Sequence, residues 1–262
     1  MSVLEFIMGN TLAKTAAIDF TIQWAGWLVA VLMKTEKFYD LVGACTHLYL
    51  AYKSLEWSGK TSTRKQVQTG MVMTWAFRLG LFLFTRILKE GKDRRFNQIK
   101  QSPAMFLFAW TMQGAWIFLN LLPTLIHNSK EKDKPISTRD YVGWGLWTVG
   151  FLFEVIADYQ KSSFRNNPDN AGKFISSGLW SICRHPNYFG EILLWCGLYI
   201  SASSTFKGKE YLSAISPLFT FFLLTRVSGI PMLEKSGLRR WGKDPSYLEY
   251  LKNTPSLIPF FR

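Results

Sequence analysis

The sequence predicts an all-α fold, a polytopic membrane bundle of about seven transmembrane helices with a cytosolic C-terminus. Hydrophobic residues make up 48 % of the chain and aromatic residues 16 %, including 11 Trp and 21 Phe. Long apolar runs alternate with short charged loops, and several runs can cross about 30 Å of hydrocarbon as helices. The basic residues behind the net charge of +13 lie in the loops, which suits anionic headgroups or a phosphorylated cofactor better than nucleic acid.

Hydropathy and length predict seven spans, which lie roughly over residues 11–33, 38–58, 67–88, 104–127, 140–160, 187–206 and 210–232. Lys and Arg are about twice as numerous in the loops after odd-numbered spans and in the tail as in the other loops. The positive-inside rule therefore places the C-terminus in the cytosol. The membrane would be that of the endoplasmic reticulum in a eukaryote, or the inner membrane in a bacterium.

The chain shows no internal repeat, low-complexity tract or linker, so a single domain over residues 1–262 is expected. Glu5 and little basic charge precede the first span, so we expect that span to be retained rather than cleaved as a signal peptide.

Several catalytic and metal-binding classes lack their signature. No Gly-x-Gly-x-x-Gly follows a strand, no His-x-x-x-His or Cys-x-x-Cys pair offers metal ligands, and no Ser-His-Asp arrangement is indicated. Cys45, Cys183 and Cys196 form no pair-spaced framework and are expected to be small buried hydrophobes. We expect no metal site.

The second span begins with Tyr39 and Asp40, a phenol beside an acid. Because an acid is costly in lipid, the pair is expected to face the bundle interior. It could act as a proton relay or polarise a carbonyl group. Interfacial anchoring is the alternative.

Polar residues also interrupt the next two spans. Arg78 lies inside the third, where a charged side chain is a functional hypothesis by default. Trp110, Gln113 and Trp116 share one face of the fourth. An aromatic stripe is usually packing, whereas the Gln113 amide needs partners in hydrocarbon.

The fifth span ends with Glu154, Asp158, Lys161 and Arg165, whose spacings of four, three and four place them on one helical stripe. They form either a network of ion pairs at the membrane edge or part of a ligand site. A turn-rich loop follows at 166–172.

The most informative stretch is Gly178 to Glu191, where Pro186 is expected to open a helix. His185 would lie at the helix start, with Arg184 just outside it. Polar residues of the first turns would then surround free N–H groups that attract an anion. The alternative is a flank that meets the lipid headgroups.

The run from Gly178 to Glu191 resembles the signature of the membrane-embedded reductases related to steroid 5-alpha-reductase, especially their uncharacterised "domain of unknown function" branch. A looser Arg-His-Pro-x-Tyr-x-Gly version occurs in sterol C14-reductases and isoprenylcysteine methyltransferases. The resemblance covers about residues 75–262, the cofactor-binding half, and is strongest over 158–191. It includes a C-terminal Tyr-x-x-Tyr, which we interpret as part of an amphipathic helix on the cytosolic surface.

The resemblance implies an NADPH-dependent reductase that reduces an activated C=C bond of a lipid, such as a steroid-like or isoprenoid enone. The implied cofactor-binding residues are Arg78, Asp158, Lys161, Arg165, Lys173, Arg184, His185, Asn187, Tyr188, Glu191, Arg226 and Glu234. The substrate-binding candidates are Trp110, Gln113 and Trp116, because Met-Gln-Gly is similar to a Leu-Gln-Gly run of the steroid reductases. Tyr39 and Asp40 are the catalytic candidates, because this pair is similar to part of a Tyr-Asp-Phe run in the sterol reductases. The Gln-Glu pair of the steroid reductases is not visible in this region.

Two other functions stay open, an S-adenosylmethionine-dependent methyltransferase and a non-catalytic lipid-binding relative. The expected partners are the membrane and a lipid substrate within it, not nucleic acid. The sequence identifies neither the lipid nor the oligomeric state.

Overall fold

The computed structural model describes residues 7 and 9–261; Glu5, on which the interpretation of the first span rests, lies outside them. The described residues form helices and connecting loops, and none of them forms a β-strand. The predicted all-α fold is confirmed.

The helices are numbered here in chain order. They are α1 (Thr11–Leu32), α2 (Tyr39–Glu56), α3 (Thr63–Glu90), α4 (Pro103–Asn128), α5 (Thr138–Asn166), α6 (Leu179–Ile182), α7 (Pro186–Ser203), α8 (Ile215–Phe222), α9 (Ile230–Trp241) and α10 (Pro245–Asn253). A π-helical turn, Leu223–Val227, directly follows α8 and precedes α9.

Local sequence explains several helix ends. The Asn10 side chain accepts from the N–H groups of Leu12 and Ala13 and begins α1. Ser62 and Ser102 cap α3 and α4 in the same manner. Gly91, with φ of 75°, ends α3 in the left-handed conformation that glycine adopts without steric cost.

Four described segments are long and apolar enough to cross a membrane: α1, α3, α4 and the composite segment Gly208–Trp241. The predicted count of seven spans is therefore not reproduced. The other three predicted spans coincide with α2, α5 and α7, which are more polar. Helix α2 contains three charged residues within 18, α5 carries its charged stripe, and α7 begins with a polar turn.

The chain groups into two compact units. Unit 1 comprises Met1–Asp140 and Ser201–Ser216, and unit 2 comprises Tyr141–Ile200 and Pro217–Arg262. The single-domain organisation stays a prediction. In unit 1, Phe106 and Trp110 of α4 pack with Phe96 and Ala30 in a buried apolar cluster, and Tyr39 packs against it.

A buried cation organises one end of unit 1. Arg64 is fully buried, and its guanidinium donates to both carboxylate oxygens of Asp140, at 2.6 and 2.9 Å. It also forms an ion pair with Asp133 and donates to the carbonyl oxygens of Lys134 (3.0 Å) and Pro135 (2.8 Å). These bonds hold the loop between α4 and α5 in place. A lysine ammonium group lacks the planar fork of N–H donors and could not make the same set of bonds.

We predict that Arg64→Ala lowers the free energy of unfolding by about 3–5 kcal/mol, because it leaves buried carboxylates without their cation. The exposed neighbour Arg139, replaced by Ala, is the control and should change stability little. Denaturant titration of the detergent-solubilised proteins measures both. Equal stabilities of the two variants would contradict the assignment.

Candidate functional site

Glycines allow two helices of unit 2, α5 and α7, to pack with their backbones in direct contact. A Cβ atom added to Gly150 of α5 would lie 2.6 Å from the carbonyl oxygen of Gly190 in α7. One added to Gly190 would lie 2.5 Å from the carbonyl oxygen of Gly150, and one on Gly197 would lie 2.5 Å from that of Gly143. Small residues are the usual means by which membrane helices pack this closely.

This contact brings the end of α5 against the start of α7. The Asn187 amide donates to the Asp158 carboxylate at 3.1 Å, and the Asp158 side chain is buried. The Asn187 carbonyl oxygen is buried and has no hydrogen-bond partner among the described residues. Two residues predicted to bind the cofactor therefore meet, and one retains an unused acceptor.

Arg184 and His185 lie immediately before α7, close to Glu234 of α9. A terminal nitrogen of Arg184 is 3.1 Å from the Glu234 carboxylate, and His185 Nε2 is 3.5 Å from it. The His185 ring is buried and stacks on Tyr188 at 5.8 Å between centroids. The Arg184 Nε–H is buried and has no acceptor among the described residues. This donor is available for an anion.

The environment of His185 favours the neutral imidazole. Burial lowers its pKa from the ordinary value of 6.5, and the Glu234 carboxylate only partly opposes that shift. Lys161 and Arg184 lower the pKa further through their positive charges.

The C-terminal helices cover the loop that precedes α7. The Tyr250 hydroxyl donates to the Trp180 carbonyl oxygen at 2.6 Å, and the Trp241 indole N–H donates to the Gly172 carbonyl oxygen at 2.5 Å. Phe174 packs edge-on against Tyr247, with centroids 4.9 Å apart. The tail helix α10, which the sequence places on the membrane surface, thus buries its Tyr247 face within unit 2.

Most of these residues line a half-open cavity of about 130 Å³, called the basic cavity below. Its cations are Lys161, Arg165, Lys173, Arg184 and Arg240. Its aromatic walls are Phe164, Phe174, Trp180, Trp241, Tyr247 and Tyr250. Glu234 is the carboxylate in the lining. Five cations against one carboxylate, next to flat aromatic rings, suit a ligand that combines phosphate with a heteroaromatic ring.

The basic cavity gathers half of the predicted cofactor-binding residues. These are Lys161, Arg165, Lys173, Arg184, His185 and Glu234. Five others belong to unit 2 but do not line the cavity, namely Asp158, Asn187, Tyr188, Glu191 and Arg226. Arg78 belongs to α3 of unit 1, where its guanidinium lies 5.2 Å from the Phe82 ring centroid. Their roles stay predictions.

Sequence reasoning missed much of the cavity wall. Arg240, Trp241, Tyr247 and Tyr250 come from α9 and α10, far along the chain from α5. The Tyr-x-x-Tyr spacing was the available signal. It predicted a helix face but not the surface on which that face packs.

The catalytic candidates lie in unit 1 and are engaged with other groups. The Tyr39 hydroxyl donates to the Ala109 carbonyl oxygen at 2.9 Å. Asp40 pairs with Arg95 at 2.9 Å and with Arg86 at 3.8 Å. The predicted coupling of the acid to the phenol stays a prediction.

The substrate-binding candidates surround the same tyrosine in part. The Gln113 amide donates to the Tyr39 carbonyl oxygen at 3.1 Å, and the Trp110 ring contacts the Tyr39 ring at 5.0 Å. Trp116 instead packs against His47, with centroids 4.9 Å apart.

These observations define the class of protein: an all-helical membrane protein with a basic, aromatic-lined cavity. The chain belongs to the family described as "Protein of unknown function (DUF1295)", whose pattern matches residues 26–254. The predicted resemblance to this superfamily is confirmed by the relatives that follow.

The chain is 33 % identical to 3-oxo-5-alpha-steroid 4-dehydrogenase 1 of Macaca fascicularis over 122 residues, 47 % of this chain and 41 % of that protein. It is 30 % identical to Delta(14)-sterol reductase of Arabidopsis thaliana over 97 residues, 33 % of this chain and 23 % of that protein. It is 27 % identical to probable O-methyltransferase ustE of Ustilaginoidea virens over 153 residues, 52 % of this chain and 51 % of that protein. The chain thus aligns with about half or less of the length of each relative. No solved structure matches it at a significant level.

We predict that Gly190→Ala destabilises the protein by about 3 kcal/mol, the upper end for overpacking, because the added methyl group meets backbone atoms of α5. Gly145→Ala in α5 is the matched control. A Cβ there meets nothing within 4 Å, so it should be neutral or stabilise by up to about 1 kcal/mol. Thermal unfolding in detergent measures the difference, and Gly190→Ala with wild-type stability would disprove the backbone contact.

The lowered pKa of His185 predicts a pH dependence of stability. A histidine that is harder to protonate when folded costs stability below its unfolded pKa of 6.5 and nothing well above it. We therefore expect the free energy of unfolding to fall less steeply between pH 7.5 and 5.5 in His185→Gln than in the wild type. Parallel profiles for the two proteins would contradict this.

Proposed function

We propose that this chain is a membrane-embedded, NADPH-dependent reductase that reduces an activated C=C bond of a lipid, such as a steroid-like or isoprenoid enone. The observation that carries the proposal is the lining of the basic cavity, where five cations meet aromatic rings in one unit. The similarity to a steroid dehydrogenase and to a sterol reductase supports the same function.

Phosphate recognition is the best supported part of the proposal. NADPH carries a pyrophosphate and a 2′-phosphate, and Arg binds phosphate through paired N–H donors. The unused Nε–H of Arg184 is such a donor. The exposed Arg165 and Lys173 extend the positive charge outwards from the cavity.

The basic cavity has room for part of a dinucleotide, and its lining residues suit that part. Ligand pockets typically measure about 300–1,000 Å³, whereas the basic cavity measures about 130 Å³. This volume accommodates a phosphate with a sugar or a ring, and the remainder of the cofactor would lie outside it. The aromatic walls would stack on the adenine or nicotinamide ring.

Asn187, Asp158 and Glu191 are proposed to hold the nicotinamide carboxamide or the ribose. The Asn187 carbonyl oxygen, buried and unpaired among the described residues, is complementary to a carboxamide N–H. When bound, the cofactor supplies the hydride, while the chain orients it and excludes water.

In unit 1, Tyr39 is proposed to protonate the reduced substrate, with Asp40 tuning its acidity. The tyrosine would exchange its hydrogen bond with the Ala109 carbonyl oxygen for one with the substrate oxygen. Trp110, Gln113 and Trp116 would line the lipid pocket. Access through the apolar candidate spans suits a substrate dissolved in the bilayer.

We further infer that the C-terminal tail and the basic cavity lie on the cytosolic side, of the endoplasmic reticulum or of a bacterial inner membrane. The positive-inside distribution of Lys and Arg supports this topology. This topology would put the proposed phosphate-binding groups on the side of the membrane where NADPH is dissolved.

A second candidate is a methyltransferase that uses S-adenosylmethionine, and the match to a probable O-methyltransferase favours it. Its cofactor carries a sulfonium cation and no phosphate, so five cations in the lining count against it. A non-catalytic lipid-binding relative would bind NADPH without oxidising it.

We predict that Arg240→Ala weakens NADPH binding about 10- to 100-fold, the loss expected for one charge-assisted hydrogen bond worth about 1.5–3 kcal/mol. Arg239→Ala is the matched control, because Arg239 is also exposed on α9 but does not line the cavity. Calorimetric titration of the solubilised proteins with NADPH, NADH and S-adenosylmethionine measures the affinities.

The wild type should prefer NADPH over NADH and bind S-adenosylmethionine weakly. The opposite order would replace the reductase by the methyltransferase. If NADPH binds but its absorbance does not fall when enone lipids are added, the protein would be the non-catalytic lipid-binding relative.

A further inference from the structure

Three oxygen atoms in the interior of unit 1 have no hydrogen-bond donor among the described residues. They are Asp19 Oδ2 and Gln23 Oε1 of α1 and Gln113 Oε1 of α4. The Asp19 and Gln23 side chains are fully buried, and Gln113 is 6 % exposed. These three residues are called the acceptor cluster below. Buried polar atoms without partners are rare in native proteins and need an explanation.

The internal hydrogen bonds of the cluster use its donors and leave its acceptors free. The Gln23 amide donates to Asp19 Oδ1 at 3.3 Å and to the Thr46 hydroxyl oxygen of α2 at 3.2 Å. The Thr46 hydroxyl itself donates to the Val42 carbonyl oxygen at 2.7 Å. Gln113 donates to the Tyr39 carbonyl oxygen. Asp19 forms no ion pair within the described part of the chain.

Glycines gather these side chains where α1, α2 and α4 meet. A Cβ added to Gly43, one turn before Thr46, would lie 3.1 Å from Cδ of Gln113. A Cβ added to Gly114 would lie 3.2 Å from Cγ of Gln23. The missing side chains therefore admit two amides into the space between three helices.

The position of the cluster selects a ligand that dissolves in the bilayer. Asp19 and Gln23 are the ninth and thirteenth residues of the 22-residue helix α1, a candidate span. At a rise of about 1.5 Å per residue they lie about 12 and 18 Å from its start, near the middle of the hydrocarbon. A polar ligand would not reach this depth, whereas an apolar lipid with one polar group would.

The chemistry of the cluster selects the polar group. The amide oxygens of Gln23 and Gln113 can only accept hydrogen bonds, so they are complementary to a hydroxyl hydrogen and not to an ether or an ester. We propose that Asp19, Gln23 and Gln113 line a site for the hydroxyl group of an apolar lipid alcohol, which donates its single hydrogen to one of the two amide oxygens. This inference rests on the proposed function in one respect, namely that the lipid alcohol is the substrate. That substrate would carry a hydroxyl group in addition to the reducible bond.

The test compares alcohols with ethers on the purified, detergent-solubilised full chain, without a cofactor. The probes are cholesterol and geranylgeraniol, each paired with its methyl ether, and competition with a radiolabelled alcohol measures their affinities. We expect at least one alcohol to bind ten-fold or more tightly than its ether, because only the alcohol donates a hydrogen bond.

Two variants separate a binding role from a structural one. Asp19→Leu and Gln113→Leu should abolish the preference for the alcohol and leave the melting temperature close to that of the wild type. Each variant removes an unpaired buried acceptor, which offsets the loss of its hydrogen bond with Gln23 or with the Tyr39 carbonyl oxygen. Asp19→Asn, nearly identical in shape, serves if the leucine variant does not fold. Thr21→Val is the matched control, because Thr21 lies on the exposed face of α1.

Equal affinities for alcohol and ether would overturn the proposal and assign the cluster to buried water. A wild type that binds none of the four probes would overturn it as well. So would variants with a lowered melting temperature and an intact preference for the alcohol. NADPH titration of the same samples keeps the two proposals apart, because selective alcohol binding without NADPH binding would remove the reductase and leave this site.

Discussion

The close approach of α5 and α7 is the constraint on which the candidate site depends. Gly150 and Gly190 bring the two backbones to a distance that excludes even a methyl group. Asp158 and Asn187 can form a hydrogen bond only because their helices are this close. The positions of Arg184 and His185, just before α7, follow from the same contact. A glycine contact therefore controls the chemistry of a charged site.

Each unit leaves buried hydrogen-bonding groups unused at its proposed site. In unit 2, a buried N–H of Arg184 has no acceptor among the described residues, next to a lining rich in cations. In unit 1, buried oxygens of Asp19 and Gln23 have no donor among them. The first arrangement suits an anion, and the second suits a hydroxyl group. The proposed reductase would need both kinds of recognition, one for its phosphorylated cofactor and one for its lipid substrate.

The sequence alone predicted those features that are determined by residues close together in the chain. The spacing of Lys161 and Arg165, and the run through Arg184 and His185, predicted four of the residues that line the basic cavity, because neighbouring positions fix a helical stripe or a helix start. Apolar runs likewise predicted the all-α fold. Hydropathy predicted seven spans, whereas four described segments have the length and composition of a span, because α2, α5 and α7 combine apolar stretches with polar residues.

The remaining features depend on contacts between distant segments. Nothing near Arg240 indicates that it lines a cavity with Lys161, and Gln23 becomes notable only when Thr46 and Asp19 are placed beside it. The glycines of α5 look neutral in a sequence, since their role is defined by the helix that packs on them. Long-range packing of this kind is not encoded in any short window.

The contribution of α10 to the wall of the basic cavity has a consequence for biosynthesis. Tyr247, Tyr250 and Leu251 of α10 leave the ribosome after every other residue of the cavity lining has been made. A nascent chain that stops before them has inserted its apolar helices but leaves Phe174 and the Trp180 carbonyl oxygen uncovered. Only a chain translated through α10 can therefore form the complete wall.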